Sequence, residues 1–322
     1  MNQKIKGNSN NGSSLIILSS IIYGATPILT IKSYGGGSNP LMSMFLRSII
    51  VLPILGFILK GLHVSLQISK DEHLKIFLYC ALGTCSTGIL LGYAYQYLPV
   101  GLTTAIHFTY PVLVTLASVI LLKMRINTKQ IFALFLCIIG VFSISGVTHG
   151  EINEIGLILA LLSACTYAFA MIFLKHSGLA ELETFKFSFY QSLYTSFIML
   201  ILTLVTGNFT LSLTAFAWGQ SLLVSILVSI IATYFLQRGM RVISSFRVSL
   251  LSTAEPIVSL IMGILFLGDV VAMSGIIGCV LILMGSLMQG KGNNSEENSE
   301  YDYQKSKTYN STALLNNQDE KV

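Results

Sequence analysis

Long apolar runs separated by short polar or Gly/Pro breaks set the pattern of this chain. Ten runs can be marked. The first five are about Ser14–Tyr34, Pro40–Lys60, Leu74–Tyr97, Leu102–Leu122 and Gln130–Val147. The second five are about Ile155–Lys175, Phe185–Val205, Trp218–Gly239, Ser244–Leu267 and Met273–Met288. An α-helix needs roughly 20 such residues to cross about 30 Å of hydrocarbon. The pattern predicts an all-α polytopic membrane protein with ten transmembrane helices. Residues 1–13 form a polar leader without signal-peptide character, running straight into the first span. Residues 290–322 turn to Asn, Ser, Glu, Lys and Tyr; such a tail buries too little apolar surface to offset its ordering entropy and is expected to be disordered.

Composition agrees with the pattern. Of 322 residues 53% are apolar and 10% charged, against about a quarter charged in soluble domains. The net charge of +5 implies no nucleic-acid partner, because the cations are spread over short loops. With a cytoplasmic N-terminus, 17 of the 19 Lys and Arg fall on the cytoplasmic side, one (Lys32) outside, and Arg47 within a span. That bias predicts that both termini are cytoplasmic; the expected location is the cell membrane. The five cysteines sit inside apolar runs at spacings that fit neither zinc nor a CxxC site, and read as small packing residues. No metal or cofactor is expected.

Sliding the second half onto the first by 144 to 145 residues aligns several landmarks without gaps. Tyr23 falls on Tyr167, Arg47 on Gln191, Tyr110-Pro111 on Glu255-Pro256 and Gly140 on Gly285. The predicted units are residues 14–147 and 155–288. Five spans is an odd number, so the second copy is expected upside down. Loop charges follow the same logic: Lys123, Arg125 and Lys129 follow the fourth span, whereas "GDVVA" after the ninth has no cation. Inverted repeats of this kind are the plan of secondary transporters, whose halves rock about a central site.

The five-plus-five layout, Arg47 in the second span and the Glu255-Pro256 dipeptide in the ninth resemble the EamA-type branch of the drug/metabolite transporter superfamily. The segment "SSFRVSLLSTAEPIVSLIMGILFLGD" is similar to that family's most recognisable stretch. The resemblance covers about residues 14 to 288. It departs at "YGATPIL", where the family often has Trp and this chain has Tyr23. It implies a transporter fold and says little about substrate.

Glu255 lies deep in an apolar run, where a charge costs roughly 2.5–3.5 kcal/mol on insertion scales and must face protein or water. Pro256 removes a backbone donor and is expected to bend the helix. The acid is either a proton-binding or cation-binding group, or a protonated side chain bonding a neighbouring helix. Arg47, about seven residues from the outer end of its span, is either a cavity cation for a substrate anion, or a side chain snorkelling to the outer headgroups or held in a structural ion pair. His107 and Tyr110, three residues apart, share a helical face beside Pro111, which like Pro256 is expected to break its helix. They suit a pocket or a satisfied core equally. Tyr23, Tyr167 and Gln191 are cavity candidates through the repeat alone. Tyr93, Tyr95 and Tyr97 read as packing or interface aromatics, and Gly88 with Gly92 as a helix-packing pair.

The expected function is therefore a secondary transporter moving a small organic metabolite by alternating access. An amino acid, an amine or a related solute would serve as substrate, with export among the directions. The expected partners are that solute, the lipid bilayer and protons as the candidate coupling ion; the pattern accommodates a monomer or a homodimer. A sugar-phosphate or nucleotide-sugar exchanger is the alternative within the class, but it calls for several cavity cations. A membrane-embedded enzyme is the alternative outside it, and no span carries a catalytic cluster.

Overall fold

The computed structural model describes residues 9–122, 128–145, 153–240, 248 and 251–292. Most of the leader, part of the basic loop after the fourth run, most of the early ninth run and nearly all of the tail lie outside the described residues. Every regular element among the described residues is helical. In chain order the α-helices are α1 (Ser9–Tyr34), α2 (Pro40–Gly61), α3 (Lys70–Leu78), α4 (Ser86–Ala94), α5 (Val100–His107), α6 (Tyr110–Leu122) and α7 (Thr128–Ser145). Then come α8 (Glu154–His176), α9 (Thr184–Val205), α10 (Ala215–Ile226), α11 (Thr233–Met240), α12 (Ala254–Leu267) and α13 (Met273–Gly292). Among the described residues seven helical stretches are long and apolar enough to cross a membrane, and three shorter apolar helices accompany them. Large apolar side chains such as Phe57 (76% exposed), Phe142 (70%) and Leu265 (69%) point outward, as lipid solvation allows and water would not.

Local chemistry marks the helix starts. Asn39 accepts the N–H of Met42 at 2.8 Å with Pro40 in the first turn of α2, and Asn153 caps α8. Ser69 and Glu72 form a reciprocal capping box on α3, which begins four residues before the predicted Leu74.

The helices pack in a pattern that survives exchange of the two halves. α1 packs on α12 and on the α10–α11 stretch; its repeat equivalent α8 packs on α6 and on the α3–α4 stretch. α2 packs on its own equivalent α9, and α7 on its equivalent α13. In the last pair the contact is reciprocal residue by residue. A Cβ on Gly140 would lie 2.8 Å from Gly278 O and 2.7 Å from Ile282 Cγ1, while one on Gly285 would lie 2.7 Å from Ala133 O and 2.6 Å from Cys137 Sγ. Later residues of α7 meet earlier residues of α13, so the two run antiparallel. The α2–α9 pair behaves alike: Asn39, at the start of α2, donates to Asn208 O beyond the end of α9, and Gly56, late in α2, faces the early Phe189 ring. Antiparallel packing of equivalent helices is what an upside-down duplication requires.

Two kinds of irregularity interrupt the long helices, and each occurs in both halves. The predicted single span over Leu102–Leu122 is broken: α5 stops at His107 and α6 restarts at Tyr110. The second half repeats this, with α12 starting at Ala254 immediately before Glu255 and Pro256. Both prolines therefore occupy the first turn of a restarted helix, where a missing N–H costs least. Glu255 likewise stands at a helix start. Near Thr109 the backbone tightens, with Thr109 N–H on Ile106 O and Val112 N–H on Thr109 O, both 3.0 Å. The carbonyl of Phe108 left over is taken by the Ser286 hydroxyl at 2.6 Å.

The second irregularity is a π-helical stretch, Tyr79–Cys85 between α3 and α4 and Leu227–Ala232 between α10 and α11. A hydroxyl residue follows each and bonds the carbonyl five residues back: Ser86 to Ala81 and Thr233 to Val228, each at 2.8 Å. Such bulges shift the facing of every later side chain and gather at functional sites.

Candidate functional site

Every residue of α5 is buried, and its last one, His107, opens the central group. His107 Nδ1 lies 2.9 Å from Ser163 Oγ on α8. One turn further along α8, Tyr167 places its ring 5.2 Å from His107 and 4.6 Å, edge to face, from Tyr110. Tyr110 itself stands 5.7 Å from His107 across the break between α5 and α6. Three predicted residues thus form one aromatic cluster, held by a hydrogen bond the sequence did not disclose.

Glu255 reaches the same region from the second half. Gly24 lets α12 approach α1 closely: a Cβ there would stand 2.5 Å from Glu255 O and 2.8 Å from Val258 Cβ. Ser259 locks the contact by donating to Gly24 O at 2.9 Å. The Glu255 side chain is half-buried and lies within electrostatic reach of the phenols of Tyr23, Tyr95, Tyr110 and Tyr167. Among the described residues no hydrogen bond or ion pair holds its carboxylate.

Arg47 is also half-buried, on α2. Its Nη2 points to Met44 Sδ at 3.2 Å, and Tyr23, Tyr34 and Cys85 lie within electrostatic reach. Tyr23 is therefore the residue that feels both charges; its hydroxyl sits 3.1 Å from Thr233 Oγ1, just past the second π stretch.

Gln191 stands on α9. Its Nε2 donates to Thr84 Oγ1 at 3.2 Å and its carbonyl accepts from Cys80, so it braces α9 against the first π stretch. Tyr95, read as a packing or interface aromatic, joins the end of α4 to α5: its hydroxyl lies 3.3 Å from Thr104 Oγ1, and it stands within electrostatic reach of Glu255. Gly88 and Gly92 pack on Met44 and Pro40 of α2, an internal contact. Cys165 is exposed, unlike the other four cysteines. The polar pair Thr87 and Thr166, 2.8 Å apart, extends the α4–α8 wall.

The sequence pattern of the EamA-like transporter family matches residues 10–146 and again residues 154–289. The chain belongs to that EamA-like transporter family. The two matches coincide with the two structural halves, so the family's unit is the repeat itself. The EamA-like chain is 26% identical over 196 residues to the uncharacterized transporter YvbV of Bacillus subtilis (strain 168), covering 58% of this chain and 62% of that protein. It is 23% identical over 238 residues to protein PecM of Dickeya dadantii (strain 3937), covering 71% of this chain and 80% of PecM. A solved crystal structure shares the fold at a TM-score of 0.61, with 16% identity, over 87% of this chain and 96% of that one. The EamA-like chain is thus an integral membrane protein of a transporter family, in two family repeats.

Proposed function

We propose that the chain is a secondary transporter that moves a small organic metabolite across the cell membrane by alternating access. In this reading it has ten spans in two inverted five-helix repeats, residues 14–147 and 155–288, with leader and tail in the cytoplasm. The observation that carries the reading is that Arg47 and Glu255 stand half-buried, neither of them in an ion pair among the described residues, beside helices that break at equivalent positions. Broken helices free backbone groups and polar side chains only where they line a cavity or are buried in protein. Glu255 is the group that would take up and release a proton as the halves rock, coupling movement to a proton gradient. A sugar-phosphate substrate fits less well, since among the described residues Arg47 is the sole cation in the group and His107 is engaged by Ser163.

The test is counterflow in liposomes holding the purified protein, preloaded with a mixture of amino acids, amines and nucleosides. Accumulation of at least one labelled solute is expected, with Arg47→Gln abolishing or redirecting it at unchanged thermal stability. If Arg47→Gln simply fails to insert or unfolds early, the residue is structural. If no solute exchanges, the transporter reading is wrong.

A further inference from the structure

We propose that Cys80 and Cys85, brought one above the other by the first π stretch, hold a single thiophilic, monovalent metal ion of the Cu(I) kind. The site lies between that stretch and α9, and it does not depend on the transporter reading.

In the sequence the two cysteines are five positions apart, a spacing that fits no familiar metal motif. Five residues carry an α-helix about 140° beyond a full turn, so such side chains point to different faces. Tyr79–Cys85 is π-helical, and its i→i+5 bonding stacks positions five apart instead. The two thiols accordingly lie near each other, and both stand beside the Thr195 hydroxyl of α9. Cys80, Cys85 and Thr195 are 0%, 1% and 2% exposed. The Thr195 oxygen is buried and finds no well-aligned hydrogen-bond partner.

Packing alone does not call for this arrangement. Valine would fill the place of Thr195 without leaving a buried hydroxyl bare, and the equivalent stretch Leu227–Ala232 forms its π turn without sulfur. Thiolates are soft ligands that select Cu(I)-type ions, and Met199, one turn along α9 from Thr195, brings a thioether into the same core. Zinc would want four ligands, and among the described residues no third His, Cys, Asp or Glu joins the pair. A closed-shell monovalent ion is satisfied by two sulfurs. Binding breaks two S–H bonds and forms two metal–sulfur bonds, releasing two protons to solvent with no change of oxidation state. The product carries one net negative charge, which Arg47, within electrostatic reach of Cys85, offsets. The Thr195 hydroxyl would then donate to a bound thiolate, the partner it lacks without the ion.

The experiment titrates the purified, reduced full chain in detergent, without oxygen, against the Cu(I)–bicinchoninate complex, whose colour falls as copper moves to the protein. The parent should take up about one equivalent more than the double variant Cys80→Ala/Cys85→Ala. A variant with Cys137, Cys165 and Cys279 changed to alanine should itself retain about one Cu(I), with sulfur as the neighbour seen by X-ray absorption. That second variant keeps the test decisive if the first one fails to fold, as a melting curve of each metal-free protein shows. Thr195→Val should weaken copper binding about tenfold, since a bound thiolate loses its donor. The same change should not lower the melting temperature of the metal-free protein, because the hydroxyl it removes has no partner there. Equal copper uptake by the parent and a folded Cys80→Ala/Cys85→Ala overturns the inference. So does no uptake by the folded variant that keeps only Cys80 and Cys85. Earlier melting of Thr195→Val with unchanged copper affinity would make the cluster structural and also overturns it.

Discussion

The Asp269 carboxylate accepts the N–H of Val100 at 2.8 Å, so a side chain from the second half caps the first turn of α5 in the first half. Pro99, in the capping position, offers no side-chain acceptor of its own. Gly263 leaves room for the carboxylate, and Gly101 meets Leu260 with no space for a Cβ, so the seam is tight. Under the repeat offset Asp269 falls on Met124, between Lys123 and Arg125, where a thioether is a far weaker acceptor than a carboxylate. The bond therefore favours closure on one side of the membrane, the side proposed to be external. Losing such a cap costs about 1 kcal/mol. Asp269→Ala should raise labelling of Thr104→Cys by an external thiol reagent about fivefold in a cysteine-free background, the equivalent of ~1 kcal/mol. Unchanged labelling would show that the bond plays no part in closure.

The His107–Ser163 bond makes a second expectation. Ser163→Ala leaves the imidazole Nδ1 without its partner inside a fully buried stretch. The cost should be about 1 kcal/mol, visible as earlier thermal unfolding in detergent. Ser163→Thr should recover most of it. Equal unfolding of the parent and Ser163→Ala would mean that water replaces the hydroxyl.

The reciprocal glycines test the packing symmetry. Gly140→Ala and Gly285→Ala each press a methyl on backbone and side-chain atoms of the opposite helix and should each destabilise by about 1–3 kcal/mol. Gly219→Ala, where nothing lies within 4 Å, should not. A large difference between the first two variants in denaturant resistance would contradict the two-fold equivalence of the seam.

Glu255 and Pro256 should separate proton coupling from movement. Glu255→Gln keeps shape and hydrogen-bonding capacity but cannot ionise. A pH gradient should no longer drive accumulation, while counterflow exchange persists with weaker apparent affinity. Pro256→Ala can extend the helix through the break before Ala254 and should slow exchange without altering its pH dependence. If Glu255→Gln responds to a pH gradient like the parent, the carboxylate is not the coupling group.

Much of this organisation could be read from residue order, but unevenly. The offset that set Tyr110-Pro111 on Glu255-Pro256 leads to two positions that both stand in the first turn of a restarted helix. Aligning Gly140 with Gly285 leads to the reciprocal seam. The prolines announced a break at Pro111 and Pro256, but where the helix stops was not legible, because hydropathy is continuous through Phe108 and Thr109 while the backbone changes hydrogen-bonding partners there. The π stretches were invisible for the same reason, since an i→i−5 bond leaves no hydropathy signature; the hydroxyls at Ser86 and Thr233 were the available cue. Gln191 was placed by alignment to Arg47, and alignment does not reveal that Thr84 holds it.

The α7–α13 seam is its own image when the halves are exchanged. An interface with that property needs only one sequence to build it. A single five-helix chain carrying it could dock onto an inverted copy of itself, so joining two copies end to end would preserve an existing contact rather than create a new one. Once joined, the halves were free to diverge where divergence is useful: arginine against glutamine at Arg47 and Gln191, phenol against acid at Tyr110 and Glu255. Two identical half-chains would have presented each of those groups twice, once toward either side of the membrane. Fusion is what allows the molecule to carry one arginine and one glutamate at these equivalent positions instead of a matched pair of each.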